Sequence, residues 1–468
     1  MFGDSSARIS SPYTLVRHPV FLIAVIGIAV RLCIFPFVEV GYDSDFWATI
    51  IGNIEAGEGL YGLEGYYYTP VWGYILSFMS VLQETFLNID VMGLRVPAFF
   101  LVESYPEWFF SSTVTSVEFN FWVKVPLLIS DLIIGYLVYW LIKDKTQDMR
   151  KATIGFGLWF LCPLVIFTSS ISGMFDTFSV LFALLCIIMV RKDRLFLAGI
   201  LFSFAVLTKF FPIYLAFLLI AYIIAKHRGG AEYRSVAKAV AGVLAGFLML
   251  MAPQIADGTL SESVLFITTR VSGEGTAGTL LDTILSNGAA ITYIIAIFVS
   301  LFLAWSLSKK SGEELDDSFF KYALLMVAVI FIFPPAPQYL VLLIPFLAIY
   351  IVTKDPKFKW SWALVSVGGA VFILGGNFVL FMSLGTFTDL MPQDHIMSMI
   401  ELFQTPAFLG ASPMSWIYYS AGAVQYAGIL LILLLFLKAK FTGGRGENGG
   451  KAARLRRPFL SFYKQEKV

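Results

Sequence analysis

The chain has 468 residues, 58% of them hydrophobic and 14% charged, with a mean hydropathy of +0.79. A soluble domain carries about 25% charged residues, so composition excludes one and indicates an all-α polytopic membrane protein. The formal net charge is +1. Basic residues gather beside apolar runs, which implies membrane lipid as a partner and no nucleic acid.

In chain order, apolar runs lie near 20–38, 121–142, 152–168, 172–190, 195–208, 210–225, 235–252, 286–307, 319–334, 338–352, 361–384 and 414–438. They predict about twelve transmembrane helices. Several are shorter than the roughly 20 residues a perpendicular span needs and read as paired hairpins. The first run is followed by Glu39 and Asp43 rather than a small-residue cleavage site, so it is expected to stay as a span. The expected organisation is a cytoplasmic N-terminus (1–19), a first span (20–38) and a large first outer loop (39–120). A transmembrane bundle (121–438) and a basic cytoplasmic tail (439–468) follow. Within the loop, 70–86 and 97–110 are apolar and aromatic and predict interfacial helices along the outer leaflet. Cys33, Cys162 and Cys186 fall inside apolar runs and are expected to be small core hydrophobes.

With both termini cytoplasmic, 28 of the 33 Lys and Arg residues fall on cytoplasmic segments, a positive-inside distribution. The other five are Arg31, Arg95, Lys124, Lys209 and Arg270. Each is either a snorkelling cation or, with the others, part of a site for an anionic headgroup.

Asp43-Ser44-Asp45 follows the first span directly. Two carboxylates at that spacing can reach one cation, or one can act as a base while the other raises its pKa. A solvated loop pair is the plain alternative. Ser172-Gly173-Met174-Phe175-Asp176 lies at an expected outer turn. There Gly173 permits close backbone approach, and Asp176 starts the next helix, where free amides favour a carboxylate. Lys209 interrupts a second hairpin at its outer end and is a point charge suited to a lipid phosphate. Asp131 sits inside LLISDLIIGYLV and is expected to find a partner, with Lys124 two helical turns away. Pro334-Pro335-Ala336-Pro337 breaks a helix and presents Gln338 and Tyr339 as hydrogen-bonding groups. His395 is the one histidine of the expected outer loops. No His/Cys metal cluster and no phosphate-cradling Gly-rich loop is present, so no metal is assigned. A divalent cation at the Asp43/Asp45 pair is left open.

The series DSDFW, GEGLY, YYYTP, KVPLLISDLIIGYLVYWL, FLCPLVIFTSSISGMFDTFSVL, FAVLTKFFPIYL and PQYLVLLIP resembles the GT-C glycosyltransferases. The likeness is to the catalytic subunit of GPI mannosyltransferase I and related dolichyl-phosphate-mannose-dependent mannosyltransferases. It spans roughly 40–225 and returns near 331–350. The resemblance implies a GT-C fold and transfer of mannose, with inversion, from a polyprenyl- or dolichyl-phosphate donor to a lipid-linked acceptor. The site would lie on the lumenal or extracellular face, in the endoplasmic reticulum membrane or a prokaryotic plasma membrane. It also implies a small accessory membrane subunit as a candidate partner. The family's acidic outer-loop element maps onto Asp43 and Asp45 as catalytic residues. Lys209, Asp176, Gly173, Tyr68, Gln338, Tyr339, Arg31, Arg270 and Lys124 are the candidate substrate-binding residues. The turn reads GMFD, where the GPI enzyme has a Gly-Asn turn, so the acceptor is left open. The rival class is a transporter or lipid flippase, which would favour repeated halves and midplane charges.

Overall fold

The computed structural model of the protein describes residues 19–38, 41–61, 66, 68–83, 85, 115–265, 280–332, 336–376, 392–408 and 410–454. All its regular elements are helices, as the composition predicts. The segment 97–110, expected to be interfacial, lies outside the described residues.

Helix α1 (Pro19–Ile34) buries only Gly27 and Arg31, and Leu22, Val25 and Ile26 are exposed on its other faces. An apolar exterior around a polar contact is what a lipid-facing helix requires. Helix α2 (Gly41–Glu55) begins with Asp43 in its first turn, and α3 (Pro70–Leu82) starts on Pro70 at a first helical position. Proline costs nothing there, because that N–H has no intrahelical partner. Helix α4 (Val117–Thr146) is capped by Ser116, whose hydroxyl accepts from Phe119 N at 3.0 Å. Asp148 caps α5 (Met149–Phe160) in the same way. Pro163 then opens the short α6 (Pro163–Ile166), which runs into a π turn over Phe167–Ile171. The chain bends by 46° at that break.

The hairpin of α7 (Asp176–Arg191) and α8 (Leu195–Thr208) carries two of the predicted site residues. Helices α9 (Leu215–Lys226), α10 (Glu232–Asp257), α11 (Leu280–Leu307), α12 (Gly312–Ile330), α13 (Leu343–Thr353), α14 (Lys359–Gly376), α15 (Gln393–Gln404) and α16 (Pro413–Arg454) complete the bundle. Helices α8 and α10 pack backbone to backbone. A Cβ at Gly199 would lie 2.1 Å from Ala239 O, and one at Gly242 would lie 2.0 Å from Phe196 O. Small residues permit such approach between membrane helices.

The expected count of twelve spans is not confirmed. Among the described residues four helices are long and apolar enough to cross a membrane, or five with the bent pair counted as one. The runs near 20–38, 195–208, 210–225 and 338–352 contain shorter apolar helices, Pro19–Ile34, Leu195–Thr208, Phe211–Lys226 and Pro337–Thr353, which fall below that length. Cys162 and Cys186 are buried as expected, whereas Cys33 is exposed on the outer side of α1.

Candidate active site

Helix α8 ends at Lys209, whose extended backbone (φ −146°, ψ 135°) leads into the Pro212 turn. Its side chain is therefore directed by a chain break, not by a helix face. The ammonium is buried 3.7 Å from Asp176 Oδ2, an ion contact longer than a hydrogen bond. Three rings enclose it: Nζ lies 4.4 Å from the centroid of Phe175, 4.5 Å from Tyr68 and 5.4 Å from Tyr339. Ring faces attract a desolvated cation, so part of the lost hydration of Lys209 is replaced by π charge.

Asp176 occupies the first position of α7, where the helix dipole favours an anion. It is fully buried, and neither carboxylate oxygen meets a hydrogen-bond donor among the described residues. A buried acceptor left in that state is costly unless a ligand or water completes it.

Asp43 enters from α2 and is partly buried. Burial pushes its carboxyl up to about 7, the Lys209 ammonium pulls it down, and the Asp176 carboxylate pushes it back up. Asp43, Asp176 and Lys209 are thus electrostatically one cluster, with two acidic groups around one cation. One helical turn after Asp43, the Trp47 indole donates to Gly173 O at 3.3 Å. Gly173 has φ +65°, a conformation that a residue with a Cβ adopts only with strain.

The Tyr68 segment is tied down on both sides. Tyr61 Oη donates to Tyr68 O at 2.8 Å, and Tyr66 Oη donates to Thr69 O at 3.0 Å. The Thr69 hydroxyl donates to Leu207 O, two residues before Lys209. Around this junction Trp47, Trp72 and Phe175 form an aromatic wall, Trp72 and Phe175 stacking at 5.3 Å.

The structure brings Asp43, Tyr68, Gly173, Asp176, Lys209 and Tyr339 together. Gln338 lies beside Tyr339 in a 3-10 turn over Pro337–Leu342 and is partly buried. Lys124 donates to Phe35 O at 3.1 Å and to Val38 O, at the end of α1. It is not the partner expected for Asp131. That partner is Arg31, 3.1 Å away in a fully buried ion pair. The helix crossing explains the difference. Gly27 lies one turn before Arg31 and brings α1 against Phe160, so the guanidinium also donates to Phe160 O at 2.9 Å and lies 4.3 Å from that ring. The Ser169 hydroxyl, on the π turn, donates to Asp131 Oδ2 at 2.6 Å. Arg270 lies outside the described residues, as does the side chain of Asp45. His395 is exposed on α15. Among the described residues no group of three or more His, Cys, Asp or Glu residues could hold a metal.

Phe175 and Trp47 escaped the motif reading, although both stand inside it, in GMFD and DSDFW. An aromatic residue within one turn of a candidate carboxylate was the available signal.

Residues 96–271 match the family model of the ALG6, ALG8 glycosyltransferase family. The matched stretch contains Lys124, Asp131, Gly173, Asp176 and Lys209 and follows Asp43. The match, which covers less than half of the chain, supports a GT-C glycosyltransferase. It does not favour a transporter or flippase, and it does not carry the closer likeness to GPI mannosyltransferase I. No curated protein matches the chain.

Proposed function

We propose that the protein transfers a sugar, mannose in the first instance, from a dolichyl- or polyprenyl-phosphate donor to a lipid-linked acceptor with inversion. The site lies on the non-cytoplasmic face, opposite the basic loops. The observation carrying this reading is the buried Lys209–Asp176 pair enclosed by Tyr68 and Phe175, in whose field burial raises the Asp43 carboxyl to about 7. A general base works best with a pKa near the working pH.

In the proposed step, Asp43 takes the proton of the acceptor hydroxyl while that oxygen attacks the anomeric carbon. The bond from that carbon to the phosphate oxygen breaks, and the electron pair leaves with the polyprenyl phosphate. No acid is required, because the leaving group departs as an anion. Before the step the cluster holds two carboxylates and one ammonium. Afterwards Asp43 is neutral and Lys209 balances Asp176, so positive charge is no longer outweighed when the phosphate gains charge. Preorganised charge of this kind lowers a barrier without reorganisation. Tyr68 and Tyr339 wall the site beside Lys209, and Gln338 offers an amide to the sugar or phosphate.

The test uses membranes containing the full chain, dolichyl-phosphate carrying tritiated mannose or glucose, and the membranes' own lipid acceptors. Label entering lipid with the mannose donor is expected, and loss of it in Asp43→Asn. Label from the glucose donor alone would correct the sugar. No label from either donor would sink the transferase reading. Equal label in wild type and Asp43→Asn would move the base to Asp45, and loss of label with a chelator would place a divalent cation in the reaction.

A further inference from the structure

The carbonyls just beyond a helix C-terminus have no intrahelical donors and are usually met by water, a cap or a basic side chain. At the end of α1 the donor comes from another helix. Lys124, fully buried on α4, donates to both Phe35 O and Val38 O. Phe121, one turn earlier on α4, packs edge-on against Phe35 at 6.4 Å between ring centroids. Val38 precedes Asp43 by five residues, so this two-point contact fixes where the chain leaves α1 to build α2.

The same lysine also backs the second acidic segment. The position a Cβ would take on Gly173 lies 3.7 Å from Lys124 Cε. On its other side Gly173 accepts from the Trp47 indole of α2, and Asp176 follows three residues later. Lys124 therefore stands behind the two chain segments that present Asp43 and Asp176.

We propose that Lys124 is a positioning residue. By holding the Phe35 and Val38 carbonyls and backing the Gly173 turn, it sets Asp43 against the Lys209–Asp176 pair without touching substrate. A buried ammonium in a membrane protein is costly enough to require a role. Two carbonyl contacts at a chain turn suit registration of a loop better than capture of a phosphate.

The activity arm of the test rests on the glycosyltransferase reading, and the exchange arm does not. Lys124→Met keeps the stem and removes the donor, and Lys124→Arg keeps a donor that can reach two carbonyls. Hydrogen exchange by mass spectrometry on full-length protein in lipid nanodiscs follows 35–55 and 172–176. Segments 141–147 and 312–318 at the other end of the bundle serve as the internal reference. In Lys124→Met, faster exchange is expected in the first two segments and none in the reference. Transfer from dolichyl-phosphate-mannose is expected to lose on the order of tenfold to a hundredfold in kcat, the scale of a misplaced catalytic group. Donor KM should stay within about twofold, because the donor keeps its contacts. Lys124→Arg should recover most of the kcat. Unchanged exchange in 35–55 overturns the proposal, and so does faster exchange everywhere, which marks general destabilisation. A KM increase with kcat unchanged also overturns it, since that marks a binding residue. If wild type transfers no sugar, the functional reading fails and the exchange arm still decides the position of Lys124.

Discussion

The α7–α8 hairpin carries charge at both ends, and the two ends are solved in opposite ways. At the Arg191 end, Arg191 meets Asp144 at 3.3 Å and Asp316 at 3.2 Å, and Lys226 meets Asp193 at 2.9 Å. Asp317 takes both Lys145 and Lys354. Asp144, Lys145, Arg191, Asp316 and Asp317 border a cavity of about 300 Å³, and Asp144 is 45% exposed. Arg191 and Asp317 each meet two partners and the groups are partly exposed, so no single pair matters much. At the Asp176 end one ammonium serves two acidic groups, is 1% exposed and is hydrated in part by aromatic rings. Residue types are shared, but only the dry end binds each charge to a particular place. Dry charges are expensive to keep, which is why the proposed function sets the chemistry at that end.

The contrast can be broken most severely at Asp43. Asp43→Asn is expected to reduce sugar transfer on the order of a hundredfold to ten-thousandfold, the range of a lost general base. Folded yield should be unchanged. A rate within about threefold of wild type would remove Asp43 from the chemistry.

Next in size is Lys209→Met, which strands Asp176 in a dry site and should cost about 3–5 kcal/mol by thermal unfolding in detergent. The double variant Lys209→Met with Asp176→Leu should regain most of that stability yet remain inactive. A single-variant loss near zero would mean that Asp176 is not charged in the folded protein.

Arg31→Met breaks the other dry pair, yet Asp131 retains the Ser169 hydroxyl. A loss near the lower end of that range, about 3 kcal/mol, is expected. Equal losses at Arg31 and Lys209 would show that the hydroxyl does not share the load.

The pH dependence is smaller and has a definite sign. In the proposed step Asp43 acts only when deprotonated, and burial raises its carboxyl to about 7 from an ordinary 3.8. Transfer should therefore rise about tenfold per pH unit below 7 and level off above it. A raised acid pKa favours the folded state while the proton is bound. Its contribution to stability is thus full below 3.8 and is lost as pH rises through about 7. A flat rate between pH 5 and 8, as ordinary pH values, would deny Asp43 the base role.

The smallest effect belongs to the wet end. Asp317→Asn should cost less than about 1 kcal/mol and leave transfer unchanged. A large activity loss there would erase the distinction between the two ends.

Much of the site could be read in the sequence because its charges stand alone in apolar runs. Lys209 and Asp176 were each conspicuous by position, and both belong to the buried cluster. Asp131 was rightly expected to need a partner, but the partner was misjudged. Spacing along one helix favoured Lys124, whereas the crossing of α1 over α4 and α5 delivered Arg31. Helix crossings depend on which small residues meet, and periodicity in one strand of sequence does not contain that information. The count of twelve spans is not confirmed either. Hydropathy registers an apolar run and not the 3-10 and π turns inside it. The Lys209 cage was visible only as separate aromatic residues at 68, 175 and 339, distant in the chain and joined by loops.

Helix α7 is also a depth gauge. Its 16 residues measure about 24 Å, against a hydrocarbon core of about 30 Å. A helix of that length is shorter than the hydrocarbon core, so its two ends, Asp176 and Arg191, cannot reach opposite headgroup layers at once. On the proposed function, the sugar would meet its acceptor below the water line, where the thickness of the membrane itself would hold back hydrolysis of the donor by stray water.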